Sequence, residues 1–316
     1  MAAAPLVGAA GLAPPVVAVL GPTASGKSTL GLALAGELDG EILCCDSMQV
    51  YRGMDIGTAK PTPGERTAIP HHLLDLVPPG EQFHAAAWAE GARAIIAEVR
   101  ARGRLPIIVG GTGLYFRALV KGLFEAPRPD PAIRARHQAE AAELGIPALH
   151  ERLRQVDPEA ATKILPGDLL RISRALEVFE QTATPISELR RRNAVAPPSL
   201  RVFSIVLEFA LDALRPRIAA RVDTMMSAGF LDEVRALRAA GHGGARAMQA
   251  LGYKQLGQHL DGALALDAAV AEIKSATAAY ARRQRTWFRR EEVHLRAFEP
   301  LVPSALAHLI RGWQLA

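Results

Sequence analysis

Two short segments near the start of the chain carry side chains that could handle a polyphosphate and a proton. The first has the pattern G-x-x-x-x-G-K-[ST] of a phosphate-binding loop and consists of Gly21, Pro22, Thr23, Ala24, Ser25, Gly26, Lys27 and Ser28. The second is Asp46-Ser47-Met48-Gln49, in which a carboxylate opens a polar segment. A seat for phosphates with a carboxylate beside it predicts an enzyme of group transfer.

The phosphate loop has the surroundings that its chemistry needs. Residues 16–20 form an all-apolar run that predicts a buried strand, and residues 26–38 predict a helix. Gly21 and Gly26 let the backbone turn its N–H groups inward, Lys27 supplies a cation, and the Ser28 hydroxyl can hold a magnesium ion. The alternative, a chance glycine-rich turn, does not account for the strand and helix on either side.

A phosphate loop usually indicates ATP or GTP, but a nucleotide hydrolase also needs a magnesium-binding Asp at the end of a further buried strand. The strand predicted at 105–109 ends instead in Gly110-Gly111-Thr112-Gly113, and Asp75 is a weak stand-in. A kinase or NTPase acting on a small molecule or RNA therefore remains an alternative. A diphosphate on another kind of molecule is favoured.

Asp46 follows a strand predicted at 41–45. Because ligands of parallel sheets bind at the carboxyl ends of strands, Asp46 should face the same crevice as Lys27. Two alternatives stay open: Asp46 could cap a turn with Ser47, and Thr112 could cap a helix.

The order of elements predicts an α/β fold, a P-loop-containing parallel sheet flanked by helices, with an inserted all-α helical module. A helix is predicted at 83–102, further strands at 202–207 and 294–298, and helices broken by prolines between 127 and 198. We therefore expect a disordered tail at 1–15, a discontinuous catalytic core of 16–126 and 199–316, and an insertion of 127–198.

Composition allows a large folded core and a polyanionic partner. Of the 316 residues 49% are apolar, and the formal net charge is +5. Cys44 and Cys45 are adjacent in a predicted strand, so they suit neither a disulfide nor a metal and predict buried thiols of a reducing cytosol. Neither a signal peptide nor a run of membrane-spanning length is evident, so we expect a cytoplasmic protein. His71 and His72 are interpreted as structural.

Several segments together resemble the tRNA dimethylallyltransferase family, the isopentenyl-tRNA transferases. Besides the phosphate loop, the matching segments are Asp46-Ser47-Met48-Gln49-Val50-Tyr51, Gly53-Met54-Asp55-Ile56-Gly57-Thr58-Ala59-Lys60-Pro61, Gly110-Gly111-Thr112-Gly113-Leu114-Tyr115, Arg174-Ala175-Leu176-Glu177-Val178, Arg217-Ile218 with Arg221, Leu251-Gly252-Tyr253-Lys254 and Arg283-Gln284-Arg285-Thr286-Trp287. The ordered set spans nearly the whole chain and is highly specific.

The resemblance implies transfer of a dimethylallyl group from dimethylallyl diphosphate to N6 of the adenosine 3′ of the anticodon (position 37) in tRNAs reading codons that begin with U. It implies that Asp46 is the general base, that Thr23 and Arg221 aid the transfer, and that residues 21–28 hold the diphosphate with Mg2+ on Ser28. The implied tRNA contacts are Asp46, Ser47, Met48, Gln49 and Thr112, and we predict further tRNA contacts at Arg134, Arg171, Arg283 and Gln284. The partner would be the anticodon stem-loop, and we expect a monomer.

Two basic regions are candidate clamps for RNA. One lies near the C-terminus, where cations alternate with aromatic rings suited to unstacked bases: Arg282, Arg283, Arg285, Arg289 and Arg290 with Tyr280, Trp287 and Phe288. The other is the insertion, with Arg134, Arg136, Arg152, Arg154, Arg171 and Arg174. For both, a solvated basic face is the alternative. The chain departs from the family pattern at Leu170 and Ala278, so the resemblance implies no RNA contact at those two positions.

Overall fold

A computed structural model describes residues 15–123, 127–193 and 200–315. Contacts divide these residues into two units, a core of 15–120 with 200–315 and an insertion that begins at 121. The insertion thus starts six residues before the predicted boundary of 127. Most of the tail expected at 1–15 lies outside the described residues, and Pro15 already belongs to the first strand.

The core is built on a six-stranded parallel sheet with the strand order β3-β2-β4-β1-β5-β6. The strands are β1 Pro15–Leu20, β2 Gly40–Cys45, β3 His71–His72, β4 Leu105–Gly110, β5 Arg201–Leu207 and β6 Leu295–Ala297. Val19 of β1 lies opposite Val109 on one side and Ile205 on the other. The predicted α/β class and five of these strands are confirmed. The sequence did not predict β3, because its two polar, half-buried residues carry no apolar pattern.

Helices cover both faces of the sheet and form the whole insertion. In chain order the first four are α1 Lys27–Glu37, α2 Pro63–Ala68, α3 Ala85–Ala101 and α4 Gly113–Val120. The insertion contains α5 Pro131–Leu144, α6 Ile146–Val156, α7 Pro158–Lys163, α8 Leu169–Thr182 and α9 Ile186–Asn193. The core then continues with α10 Leu211–Ser227, α11 Phe230–Leu237, α12 Tyr253–Leu260, α13 Leu266–Phe288 and α14 Pro303–Leu315.

The central strands are apolar throughout because helices bury both of their faces. Residues Val16 to Leu20 are fully buried, with Leu34 of α1 in the cluster on one face and Trp88 of α3 bonded to the Cys44 carbonyl by its indole N–H (3.0 Å). The insertion has its own apolar cluster, which includes Leu149, Ile172 and Leu176. Each unit therefore has the buried core that an independently packed domain requires.

Both cysteines are free thiols buried in the sheet. Burial raises the pKa of the Cys44 thiol to about 12, and the nearby Asp46 acts in the same direction. The thiol therefore stays protonated at neutral pH, as expected of a structural cysteine. Within the described parts of the chain, no helix is long and apolar enough to cross a membrane.

Candidate active site

Three loops meet at the carboxyl ends of β1, β4 and β2, which are neighbours in the sheet. They are the phosphate loop, the segment Gly110-Gly111-Thr112-Gly113 and the segment Asp46-Ser47-Met48-Gln49. Together with α10 and α13 they enclose a cavity of about 750 Å³. Thr23, Lys27, Ser28, Asp46 and Arg221 all line it, so the carboxylate and the phosphate loop share one cleft.

The phosphate loop holds its shape through glycine and through its own carbonyls. Gly26 adopts a left-handed conformation (φ 85°) at the start of α1, which an L side chain rarely adopts. At Gly21 a Cβ atom would lie 2.8 Å from the Leu207 carbonyl oxygen, so a side chain has no room there. The Lys27 ammonium donates to the Pro22 carbonyl at 3.3 Å. The buried Ser25 hydroxyl has no hydrogen-bond partner among the described residues, as expected of a group that awaits an anion.

Lys27 and Arg221 make the cleft electropositive. Burial and the nearby Arg221 lower the pKa of Lys27 to about 8, while Asp46 opposes this shift. Burial likewise lowers the pKa of Arg221, and Asp46 again acts in the opposite direction. Two crowded cations with one carboxylate leave an excess of positive charge that a diphosphate would neutralise.

Asp46 combines the two interpretations that the sequence left open. Its Oδ1 atom accepts the backbone N–H of Met48 at 2.8 Å, which is the turn-forming contact of an Asx turn. No described residue donates a hydrogen bond to its second oxygen, and the side chain lines the cavity. One oxygen therefore fixes the carboxylate while the other is available to a substrate.

Thr112 connects two of the three loops. Its hydroxyl accepts the backbone N–H of Ser47 at 3.0 Å, and its carbonyl accepts the N–H of Tyr115 at 3.0 Å in the first turn of α4. The alternative that the Thr112 side chain serves only to cap a helix is therefore wrong. The side chain instead sets the position of the segment that begins with Asp46.

The segment from Gly53 to Pro61 contributes residues 57–61 to another wall of the cavity, and polar side chains hold the segment in place. The Gln49 amide donates to the carbonyls of Thr58 and Ala59, both at 3.1 Å. Buried Lys60 pairs with Asp55 at 2.7 Å and with Asp75 at 2.5 Å. Arg66 also bonds Asp75 at 2.9 Å. Asp75 is therefore committed to two cations and does not replace the missing magnesium-binding carboxylate.

Glu233 of α11 also holds this segment, and sequence reasoning missed it. Its carboxylate accepts the backbone N–H groups of Asp55 at 2.9 Å, Ile56 at 2.6 Å and Gly57 at 3.1 Å. The hydroxyl of buried Tyr253 donates to the same carboxylate at 2.6 Å. Tyr253 belongs to a segment that the sequence singled out, but Glu233 carries no local signal because all of its partners are distant in sequence.

Helix α13 presents cations on one side and packs on the other. Arg282 and Arg283 are exposed and have no ion-pair partner among the described residues, while Tyr280 and Arg283 line the cavity. Phe288 is only 1% exposed, so its interpretation as a base-stacking ring is wrong. The Trp287 ring lies under the Arg117 guanidinium, 4.3 Å from its centroid. Arg289 pairs with Glu208 at 2.6 Å.

Gln284, on the same helix, points inward and is 6% exposed. Its Oε1 atom accepts the N–H of Thr23 at 2.8 Å, and its amide nitrogen donates to the Gly111 carbonyl at 2.9 Å. Its side chain thus joins the phosphate loop to the loop after β4.

The six insertion arginines that the sequence singled out, by contrast, all have acidic partners. The pairs are Arg134–Glu177, Arg136–Glu180, Arg152 with Glu140 and Glu180, Arg154–Glu151, Arg171–Asp168 and Arg174–Glu177. The RNA contacts at Arg134 and Arg171 stay predictions, with the Arg171 side chain 63% exposed. Of the two departures from the family pattern, Leu170 is 67% exposed and Ala278 packs against the core.

The chain is similar in sequence to one family of known proteins. The family model described as IPP transferase matches residues 49–291. A tRNA dimethylallyltransferase of Roseiflexus sp. (strain RS-1) is 50% identical over 279 residues, covering 87% of this chain and 90% of its own. One of Anaeromyxobacter sp. (strain K) is 51% identical over 276 residues, covering 87% and 90%.

Solved structures show the same similarity. The full-length tRNA isopentenylpyrophosphate transferase of Bacillus halodurans aligns with a TM-score of 0.69 at 37% identity, over 95% of this chain and 97% of that one. A eukaryotic dimethylallyltransferase acting on tRNA aligns with a TM-score of 0.75 at 26% identity, over 90% and 74%.

Proposed function

The chain belongs to the IPP transferase family, and we propose that it transfers a dimethylallyl group from dimethylallyl diphosphate to N6 of the adenosine just 3′ of the anticodon. It is a prenyltransferase that modifies tRNA, as its relatives at half identity over most of the chain are. The observation that carries the proposal is that Asp46, Lys27 and Ser28 line the same cavity. One bridging pair of substrates can meet between these groups.

The chemistry needs a base on one side and an anion cradle on the other. An adenine amino group is a poor nucleophile because its lone pair is delocalised into the ring. The Asp46 oxygen that no described residue bonds would take up the N6 proton as the new C–N bond forms. Charge that gathers on the departing diphosphate would be stabilised by Lys27, Arg221 and the loop N–H groups.

We propose that magnesium assists and that Ser28 holds it. The Ser28 side chain is exposed to the cavity, and in the described parts of the chain no cluster of His, Cys, Asp or Glu could bind a metal by itself. This donor set fits a magnesium ion that is held by one hydroxyl and by substrate phosphate oxygens. When bound, the ion would supply further positive charge to the leaving diphosphate.

The RNA partner we propose is the anticodon stem-loop of tRNAs that read codons beginning with U. The target base cannot reach the cleft while it is stacked, so it must be extruded into the cavity. Arg283 and the segment from Asp46 to Gln49 line that cavity. We further propose that the protein acts as a monomer in the cytoplasm, which light scattering and localisation of a tagged chain would check.

A kinase or NTPase is not favoured. The end of β4 carries glycines and Thr112 where such an enzyme needs a carboxylate, and Asp75 is paired with Lys60 and Arg66. Incubation with ATP and with dimethylallyl diphosphate separates the two functions. ATP turnover without prenyl transfer to tRNA would contradict the proposal.

The decisive test replaces Asp46 by Asn and by Ala. Asn can still accept the Met48 N–H and so keeps the turn, but it cannot take up a proton. Both variants should lose at least about a hundredfold in turnover, measured by mass spectrometry of the modified nucleoside, with tRNA affinity nearly unchanged. If Asp46→Asn kept more than about a tenth of the turnover, the general-base role would be wrong.

A further inference from the structure

Gln284 lies between two arginines in the sequence of α13 and lines the cavity as Arg283 does, yet its amide is bonded to the protein itself. Arg283 and Arg285 flank it in sequence, while the Gln284 side chain is 6% exposed. Helical spacing explains the difference, since Ala281, Gln284 and Phe288 are all buried and lie on one face of α13. A buried amide has to find partners for both of its ends.

Both ends find partners, and the partners belong to two different catalytic loops. Thr23 of the phosphate loop donates its N–H to Oε1 at 2.8 Å, and Gly111 of the loop after β4 accepts from Nε2 at 2.9 Å. The fit at Gly111 is close, because a Cβ atom there would lie 2.2 Å from the Gln284 amide nitrogen. Only a residue without a side chain allows this approach.

The link extends to the carboxylate side of the cleft. Thr112 follows Gly111, and its hydroxyl accepts the N–H of Ser47, which follows Asp46. Hydrogen bonds therefore link Thr23 to Gln284 and Gln284 to Gly111. The backbone continues from Gly111 to Thr112, whose hydroxyl is bonded to the Asp46 segment. Because its N–H is engaged, the hydroxyl is the hydrogen-bond donor that Thr23 can offer to a substrate.

We infer that Gln284 is a positioning residue that fixes the diphosphate cradle relative to the Asp46 side of the cleft, and that it does not contact tRNA. This inference rests on the proposed function in one respect, namely that the phosphate loop holds a diphosphate. It separates Gln284 from its neighbour Arg283, although the two are adjacent in one basic motif.

The test compares two affinities in the full-length protein, one for inorganic pyrophosphate with magnesium and one for an anticodon stem-loop RNA. Gln284→Met keeps most of the volume but removes both hydrogen bonds, leaving the Thr23 N–H and the Gly111 carbonyl without these partners. The Kd for pyrophosphate should rise about tenfold. The Kd for RNA should change less than about twofold, which also shows that the variant folds. Arg283→Ala is the matched control and should give the reverse pattern.

A second variant keeps the inference testable if Gln284→Met does not fold. Gly111→Ala introduces a methyl group against the Gln284 amide and should also raise the Kd for pyrophosphate. In the double variant Gly111→Ala/Gln284→Ala the collision with the amide is gone and the Gly21 carbonyl oxygen, 3.1 Å from the new Cβ atom, is the close contact that remains. Its defect should therefore be close to that of Gln284→Ala alone and smaller than the sum of the two single defects.

Two results would overturn the inference: an unchanged pyrophosphate Kd in Gln284→Met and Gly111→Ala, or an RNA Kd that rises more than the pyrophosphate Kd. Neither measurement needs prenyl transfer. If the wild-type protein formed no prenylated nucleoside, the proposed function would fail, while the affinities would still decide the role of Gln284.

Discussion

The arginines of α13 and those of the insertion look alike in the sequence but differ in the structure. Arg282 and Arg283 are exposed and have no acidic partner among the described residues. Every insertion arginine that the sequence singled out has an acidic side chain within salt-bridge distance. The two regions therefore offer very different amounts of uncompensated charge to a phosphate backbone.

The difference shows that a count of basic residues does not locate an RNA-binding surface. A cation that is already paired gains less from a phosphate, because it must give up or share its carboxylate. One of the two α13 cations that have no acidic partner among the described residues, Arg283, also lines the cavity. We therefore expect α13 to supply most of the salt-dependent binding of tRNA and the insertion arginines to serve mainly its own fold.

The largest expected effect comes from removing the acid at the centre of the insertion pairs. Glu177 has a fully buried side chain and accepts from Arg174 at 2.6 Å, Arg134 at 3.2 Å and the Asp130 N–H at 2.6 Å. Glu177→Ala removes these contacts and should lower the free energy of unfolding by about 2–3 kcal/mol, measured by chemical denaturation. The expected loss is not larger, because both arginines are partly exposed and water can hydrate them in the variant.

Glu151→Ala is the matched control, because Glu151 and its partner Arg154 are both more than half exposed. Its effect on unfolding should stay below about 0.5 kcal/mol. Equal effects of the two variants would show that the pairs at Glu177 do not stabilise the insertion.

The next effect concerns RNA affinity. Arg282→Ala/Arg283→Ala should raise the Kd for tRNA about tenfold or more and reduce the slope of log Kd against log salt by about 1.5–2, similarly for all tRNAs. Replacing Arg283 together with Arg285 is a weaker design, because the Arg285 Nε atom is buried and has no hydrogen-bond partner among the described residues. An unchanged salt slope would move the RNA path away from α13.

The pH dependence of diphosphate binding tests the cation inside the cleft. The pKa of Lys27 is lowered to about 8, so the ammonium is charged below this pH and loses its proton as the pH rises through it. Affinity for pyrophosphate should therefore fall above about pH 8, by up to tenfold for each pH unit. Lys27→Arg keeps its charge and should not show this decline. A decline that began only near the ordinary pKa of 10.5 would show that Lys27 is not desolvated.

The smallest effect is expected on the insertion. Arg136→Ala/Arg154→Ala removes two exposed but paired cations, with side chains 58% and 60% exposed. The Kd for tRNA should rise less than about threefold, and the salt slope should change by less than about 0.5. A loss equal to that of the α13 double variant would break the comparison and make the insertion an equal partner in RNA binding.

Much of the core followed from the sequence because its signals are local. The apolar run at 16–20, the glycine pattern of the phosphate loop and the helical pattern after it predict a strand, a loop and a helix within a short stretch of chain. Because ligands of parallel sheets bind at the carboxyl ends of the strands, the sequence also predicted that Asp46 and Lys27 share one cleft. The edge strand β3 escaped prediction because its two polar residues pair with β2 without any apolar pattern.

The roles of single side chains around the cleft could not be predicted in the same way. The sequence places Phe288 in a basic motif and so predicts a ring that stacks on bases. In the structure, however, its side chain points into the core and is 1% exposed. The spacing of Ala281, Gln284 and Phe288 places the three residues on one face of α13. That this face is the buried one is known only once α13 is packed against its neighbours.

The sequence by itself determined the fold class, the family, and the two groups that must share a cleft, since strand order, loop chemistry and ordered motifs lie along the chain. Only the tertiary structure decided which arginines are paired, that Glu233 holds the wall from Asp55 to Gly57, and that Gln284 joins Thr23 to Gly111. The physical reason is that a buried polar group takes its partners from whichever segment packs against it, and these partners are far away in sequence.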